Sequence, residues 1–405
     1  MQNPFDNAMT QLDKVAKIRN FGDEFILRLR QPDRDIRVSI PVKMDDGSLK
    51  IFEGYRVEYN NTMGPYKGGI RYHQNTEINE VKALAFWMVL KCSVVGIPMG
   101  GGKGGITVNP KELSKGELER LSRGWIQKLS DNLGPNKDVP APDVNTTPEI
   151  MAWMADEFAK ITGDKTGAVI TGKPVGQGGS LGRDTATAQG GFYAFEALRQ
   201  ELGLDEGCRV AIEGFGNAGA NAAVIWDRAG YSVVAISDSK GGIYNPDGLD
   251  IAKLTDHKKN TGSVLGFSGG TDITNEELVG VDCDLLIPAA FENTITEANA
   301  DKIKAKAILE LANGPVSPKA DEILFQKNIP IVPDILANSG GVTVSYFEWE
   351  QNLSGDSWTE KEVFDKLRTM MASSANKISE KAKESQTSLR MGAFIAALDT
   401  IKAAL

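Results

Sequence analysis

Two stretches set a lysine among glycines: "PMGGGKGG" around Lys103 and "GPYKGGIRYH" around Lys67. Such a bed serves one of two chemistries. Either backbone N–H groups cradle a phosphate beside the lysine, or small neighbours let a substrate reach a partly buried amine. A phosphate-binding Walker loop needs GxxxxGK followed by Ser or Thr. Ile97 stands where its first glycine belongs and Gly104 follows the lysine, so the cradle fails at both positions. An amine withdrawn from water near another cation loses proton affinity and can act as an acid–base group at neutral pH. The bland alternative is a flexible turn with an exposed lysine. Lys91 closes the apolar run "ALAFWMVLK", where a snorkelling side chain is the ordinary explanation. Asp143 lies in the proline-stiffened "DVPAPDVNT", where a solvated turn or a helix cap is the ordinary one. Taken together, three lysines and an acid in constrained settings suit a substrate with two carboxylates and an amine. Only His73 and His257 are present, which leaves little for a His-ligated metal or a His-based triad. Acid–base work falls to Lys, Asp or Glu.

A second constellation is "EGFGNAGANAA", which places Gly214, Gly216 and Gly219 in GxGxxG spacing after a strand pattern and before a helical one. That arrangement provides a tight turn, close approach of a pyrophosphate and a helix N-terminus aimed at the anion. Asp238 ends the next strand pattern, at the spacing of the acid that grips an adenosine ribose. Strand, glycines, helix, strand and acid together point to NAD or NADP. Asp238 favours NAD by repelling a 2′-phosphate, whereas Ser239 and Lys240 immediately after it are suited to hold one. The choice stays open.

The elements that must position these residues are legible from periodicity. "DIRVSIPV" and "LKIFEGYRVEYN", joined by "DDG", read as strands of a partly antiparallel sheet, with "EFILRLR" as another strand before them. Helical patterns follow near 77–92, 115–131 and 147–161, the last with a capping box between Thr146 and Glu149. From Arg209 strands alternate with helices, which implies a doubly wound parallel sheet. Beyond about residue 355 the pattern is helical only. The net charge of −9 opposes nucleic-acid binding. The longest apolar run is too short to span a bilayer. The start, "MQNPFDNAMTQLDK", reads as neither a secretory signal nor a transit peptide, and Cys92, Cys208 and Cys283 form no CxxC, which fits a reducing cytoplasm.

"GPYKGGIRYH", "PMGGGKGG", "DVPAPDVNT", "TGKP", "GFGNAG", "SDSKGGIYNPDG", "ANGPVSP" and "NSGGVTVSYFEW" together, in order and over nearly the whole chain, resemble the hexameric bacterial and archaeal glutamate dehydrogenases of the Glu/Leu/Phe/Val dehydrogenase superfamily. The resemblance implies an α/β chain of two domains. Residues 1–183, completed by C-terminal helices over 355–405, would bind substrate and oligomerise; 184–354 would be a Rossmann domain. It implies reversible NAD(P)-dependent deamination of L-glutamate to 2-oxoglutarate and ammonium by a cytoplasmic homohexamer. By motif, Lys67 matches the lysine that binds the side-chain carboxylate, with Ser345 assisting from the other domain. Lys91 matches the α-carboxylate lysine, Lys103 the catalytic lysine and Asp143 the catalytic aspartate. Thr187, Asn217, Asn313 and Asn338 match residues near the nicotinamide, and Thr171 and Arg183 lie in cleft-lining motifs. "TATAQGG" departs from the commoner "ATGRG" version at Ala188 and Gln189 but keeps the threonine. Leucine- and phenylalanine-type dehydrogenases carry apolar residues where Lys67 and Ser345 stand, so this pair selects glutamate. A non-catalytic dinucleotide-binding protein is opposed by the joint presence of Lys67, Lys91, Lys103 and Asp143.

Overall fold

A computed structural model describes residues 3–405 as two compact units. The first comprises the chain up to Arg183 with Val342–Val363 and Phe394–Leu405; the second comprises Asp184–Gly341 and Phe364–Ala393.

In the first unit, β1 (Arg34–Lys43), β2 (Leu49–Asn60), β3 (Tyr66–His73), β4 (Gly101–Thr107) and β5 (Asp138–Pro142) form one sheet in the order β1-β2-β4-β3-β5. β1, β2 and β4 pair antiparallel, whereas β4, β3 and β5 run parallel. The "DDG" turn forms as expected, with Gly47 at φ +85° and Met44 N donating to Ser48 O at 2.9 Å. "EFILRLR" is a helix, Asp23–Leu29, not a strand. Its buried Phe25, Ile26 and Leu29 recur at helical spacing, and Asp23 and Glu24 favour its N-terminus. One face of the sheet buries Ile40, Ile70, Tyr72 and Ile106 against Trp125 and Ile126 of the helix Lys115–Leu129 and Met154 and Phe158 of the helix Pro148–Thr162. Ser114 and Glu117 form a reciprocal capping box on the former. On the latter, Thr147 caps alone. Thr146 is instead committed to the Asp143 loop, so its expected box with Glu149 does not form. The helix Ile78–Val95 ends at Gly96 in the left-handed conformation, φ +71°.

In the second unit, β6 (Arg209–Glu213), β7 (Ser232–Asp238), β8 (Gly241–Tyr244), β9 (Thr271–Ile273), β10 (Leu285–Pro288), β11 (Ala307–Leu309) and β12 (Ile331–Val332) are ordered β12-β11-β10-β6-β7-β8-β9. The five from β12 to β7 are parallel and buried on both faces, which is why they read as apolar runs. β8 and β9 add an antiparallel edge. Strand order reverses at β6, whose C-terminal end carries the glycine loop, at a switch point where open α/β sheets bind ligands.

The C-terminal partition differs from the expected one. Residues 342–354, expected with the dinucleotide domain, pack in the first unit, and 364–393, expected in the first, pack in the second. Side chains account for the exchange. Arg390 pairs with the buried Glu310 at 2.8 Å and Asp321 at 3.0 Å, Arg368 covers the Tyr193 ring, and Ser379 meets Glu201, all within the second unit. Phe394 packs edge-on to Trp87 and Lys402 donates to Phe21 O at 2.8 Å in the first. Among the described residues no helix is long and apolar enough to cross a membrane.

Candidate active site

Alternation along the strands places Lys67, Gly69 and Arg71 on one face of β3 and Gly101, Lys103 and Gly105 on one face of β4. Lys103 is therefore a strand residue in mid-sheet, not part of a flexible turn. Its amine lies 3.1 Å from Asp143 Oδ1, and the side chain is only 8% exposed. Arg71 Nε donates to Asp143 Oδ2 at 2.9 Å and the same guanidinium pairs with Glu80. Asp143 follows β5 directly. Its loop is pinned to β3 by Thr146 Oγ1 donating to Ile70 O (3.0 Å) and Asn145 Nδ2 donating to Tyr72 O (2.9 Å), with Asn145 at φ +57°.

Electrostatics follow from that packing. Burial, then Arg71 and Arg56, pull the proton affinity of Lys103 below the ordinary lysine value against the opposing pull of Asp143. Burial alone would raise the Asp143 carboxyl, but Lys103 and Arg71 hold it well below the usual carboxylate range. Lys67 is fully buried and its amine is pushed down to about 7, chiefly by desolvation, with Arg183 and Arg56 adding positive charge. It donates to Thr171 Oγ1 at 2.8 Å and to Val139 O at 3.2 Å, and Thr171 Oγ1 lies 2.6 Å from Ser345 Oγ. Two of the three ammonium protons are thus placed, leaving one for a ligand. Ser345 joins this cluster from within the same compact unit, not from the other domain as expected. Lys91 is half-buried on the helix Ile78–Val95, which continues four residues beyond it rather than ending there.

The glycines hold backbone and side chains close more than they clear open space. A Cβ on Gly101 would lie 2.4 Å from Val89 N and 2.7 Å from Ala85 O, so the helix bearing Lys91 sits directly on β4. On the opposite face, Gly102 and Gly104 flank the Arg56 guanidinium. Arg56 and Asp138 are both fully buried and joined by Nε–Oδ2 at 2.7 Å and Nη2–Oδ1 at 2.5 Å, a bidentate pair crossing beneath β4. Sequence reading missed Arg56, Arg71 and Asp138. It also missed the buried Lys173–Glu348 pair (2.8 Å), which ties the Thr171 loop to the helix carrying Ser345. Glycine at alternate strand positions 102 and 104 was the available sign of a bulky buried partner.

In the second unit the glycine loop suits a pyrophosphate. Gly214 has φ +97°, a Cβ on Gly219 would strike Gly214 O at 1.9 Å, and Gly216 faces open space. The helix Asn217–Arg228 starts with no side-chain cap, so its first N–H groups are available to an anion. Glu213, just before the loop, is buried and its carboxyl is pushed up to about 7, so it carries little charge toward a phosphate below that pH. These residues fit a dinucleotide. Asn217 Nδ2 donates to Asp184 O (3.1 Å), Asn338 Nδ2 donates to Asn313 Oδ1 (3.1 Å), and Thr187 lies in the first turn of the helix Ala186–Leu198. Asp238 does not present a free carboxylate. Both its oxygens are engaged, by Lys240 N, Val264 N and Lys258 Nζ, each at 2.8 Å, and Ser239 and Lys240 are exposed beside it.

The chain matches the family model "Glu/Leu/Phe/Val dehydrogenase, dimerisation domain" over residues 32–160 and "Glutamate/Leucine/Phenylalanine/Valine dehydrogenase" over 178–405. It is 48% identical to the NADP-specific glutamate dehydrogenase of Synechocystis over 99% of this chain and 96% of that one. It is also 48% identical to a cryptic catabolic NAD-specific glutamate dehydrogenase of Bacillus subtilis, over 96% and 92%. Its fold superposes on the hetero-hexameric glutamate dehydrogenase from Thermus thermophilus, Leu-bound form, with a TM-score of 0.94 at 36% identity, covering 100% of this chain and 97% of that one. Equal likeness to an NADP-specific and an NAD-specific relative leaves coenzyme choice to local structure. The chain belongs to the glutamate/leucine/phenylalanine/valine dehydrogenase family of NAD(P)-dependent oxidoreductases, among its glutamate dehydrogenases.

Proposed function

We propose that the protein catalyses reversible oxidative deamination of L-glutamate to 2-oxoglutarate and ammonium, using the residues of the first unit as follows. The observation that carries the substrate assignment is the buried Lys67 amine with a spare donor, backed by Thr171 and Ser345. A carboxylate is the ligand that satisfies it. An aliphatic or aromatic side chain there would leave a buried charge unpaired, which disfavours leucine- or phenylalanine-type substrates. Lys91 takes the α-carboxylate. Bound NAD(P)⁺ supplies the hydride acceptor for Cα. Asp143, held ionised by Lys103 and Arg71, accepts the proton that the substrate ammonium must lose. Lys103, whose proton affinity is already lowered, removes a proton from the water that attacks the resulting iminium carbon. Proton exchange across the 3.1 Å Lys103–Asp143 contact then serves the departure of ammonia.

Initial rates with glutamate, leucine and phenylalanine, following NAD(P)H absorbance, test the reading. Glutamate should be the preferred substrate, and Lys67→Leu should remove that preference. Glutamate turnover untouched by Lys67→Leu would overturn it. A hexamer of identical chains belongs to the same proposal; likeness to the hetero-hexameric Thermus enzyme supports the six-subunit assembly, and the identity of the subunits is the part proposed. Sedimentation should give six times the 43.7 kDa chain mass. A cytoplasmic setting suits three buried cysteines that form no disulfide.

A further inference from the structure

Two buried lysines flank Thr171, and they differ in one respect. Lys67 has a donor to spare, whereas Lys173 has none. The Lys173 amine donates to Gly167 O at 3.0 Å, Ile170 O at 2.5 Å and Glu348 Oε1 at 2.8 Å, which uses all three ammonium protons. The side chains of Lys173 and Glu348 are 3% and 0% exposed. Glu348 is engaged as fully. Its Oε2 accepts from Gly172 N at 2.8 Å, and its Oε1 accepts from Lys173 N at 3.3 Å as well as from the amine. A saturated buried pair offers nothing to a ligand; it holds what it touches.

What it touches is the loop that carries Thr171. Residues 171–174 belong to no helix or strand. Thr171 Oγ1 is nevertheless placed 2.8 Å from the Lys67 amine and 2.6 Å from Ser345 Oγ. Two surfaces confine the loop. On one side Thr171 N donates to Pro140 O at 3.1 Å, and a Cβ on Gly172, which has φ +83°, would lie 2.3 Å from Pro142 Cδ. The loop is therefore seated directly on β5. On the other side stands the helix Gly340–Ser354, where Ser345, Glu348 and Asn352 recur at i, i+3 and i+7, the spacing of one face. Ser345 meets Thr171, Glu348 takes Gly172 and Lys173, and Asn352 Nδ2 donates to Gly178 O at 2.7 Å. The helix that supplies Ser345 thus also sets where Thr171 lies.

We infer that Glu348, clamped by Lys173, is the positioning residue that fixes Thr171 and Ser345 around Lys67 and thereby sets the preference for a substrate with a distal carboxylate. Lys67 carries the charge; the clamp carries the geometry. The spare Lys67 proton points at a carboxylate only while Thr171 holds another of the amine's protons. A displacement of about 1 Å in such a contact can cost on the order of 10²-fold in rate. This role rests on the glutamate pocket proposed for Lys67, and the test separates the two.

Initial rates of reductive amination of 2-oxoglutarate and of 2-oxopentanoate, which has a methyl group in place of the distal carboxylate, read the clamp as a ratio of kcat/KM values. A purely structural defect lowers both rates alike and leaves the ratio unmoved. Glu348→Gln should lower the ratio about tenfold or more, while NAD(P)H affinity by fluorescence titration stays within about twofold. That change strands the Lys173 ammonium without a counter-charge. Glu348→Gln combined with Lys173→Met, which buries no charge, is therefore measured beside it and should fold and show the same lowered ratio. Lys67→Leu is the reference and should abolish the preference outright. A folded variant, single or double, whose ratio stays within about twofold of wild type overturns the positioning role. So does a double variant that cannot fold, since the pair would then serve the fold alone. A ratio untouched by Lys67→Leu removes the pocket itself, and the positioning role with it.

Discussion

Replacing Lys67 with methionine should make the protein more stable while removing its grip on glutamate. The amine is fully buried and pushed from 10.5 down to about 7. At ~1.4 kcal/mol for each tenfold change in proton affinity, keeping it charged in the fold costs on the order of 4–5 kcal/mol. Methionine preserves the buried stem and removes the charge. It also leaves Val139 O and Thr171 Oγ1 each short of a donor, at about 1 kcal/mol apiece. The net expectation is a gain of about 2–3 kcal/mol near pH 7. The pH dependence has a definite sign. Because the folded-state value lies below the unfolded one, the unfolded chain holds more protons between about pH 7 and 10.5, and wild-type stability rises with pH across that window. The advantage of Lys67→Met should therefore narrow as pH rises from 7 towards 10. Guanidinium midpoints at fixed protein concentration measure this, and a saturating dose of 2-oxoglutarate should raise the wild-type midpoint alone. A variant less stable than wild type at pH 7, or an advantage constant across that range, would show that the amine is a structural pillar rather than a ligand site maintained at a cost.

Other perturbations separate the remaining roles. Lys103→Ala should lower kcat about 10³-fold with nucleotide binding retained, read by initial rates and fluorescence titration; activity at the wild-type level would refute the assignment. Arg71→Gln removes one of the two cations that hold down the Asp143 carboxyl. The acidic limb of the kcat profile should move to higher pH, and an unmoved limb would exclude Asp143 from the proton path. Asp138→Asn leaves Arg56 buried without a counter-charge, and a loss of about 3–5 kcal/mol should appear in denaturation. Above about pH 7 the free enzyme increasingly holds Lys67 neutral, so 2-oxoglutarate affinity, measured by titration, should weaken as pH climbs from 7 to 9.

Legibility in the sequence tracked how local each signal was. The parallel sheet declared itself because β6, β7, β10 and β11 are largely buried and carry unbroken apolar runs between polar ends or turns. The hairpin of β1 and β2 followed from alternation and a glycine turn, both short-range features. "EFILRLR" failed because seven residues with alternating charge and apolar character satisfy a strand period as well as two helical turns, and only tertiary burial decides between them. The C-terminal partition failed for a related reason. Helical periodicity marks an apolar face without identifying its partner, and the partner is fixed by long-range polar contacts, chiefly the pairs of Arg390 with Glu310 and Asp321. At the site, Lys67, Lys103 and Asp143 stood out by their glycine and proline settings. Arg71 lay unnoticed within the same motif as Lys67, because nothing local shows that Asp143, 72 residues later, would fold against it.

The glycine bed around Lys103 is a packing device with an electrostatic result. Gly101 admits a helix backbone on one face of β4, while Gly102 and Gly104 admit a guanidinium on the other. Any side chain at these positions would force apart the layers that desolvate Lys103. Close layers exclude water, and the exclusion is the largest cause of its lowered proton affinity, ahead of Arg71 and Arg56. The same closeness keeps Asp143 within 3.1 Å, so proton affinity lost to burial is partly restored by the carboxylate. An amine balanced in this way gives up its proton more readily than an exposed lysine does. Arg56 adds to that balance because Asp138, on β5 and three strands from β2, fixes its guanidinium against the lysine's strand. The chemistry of Lys103 thus depends on residues that never touch substrate, and the absence of side chains beside it is what brings them within range.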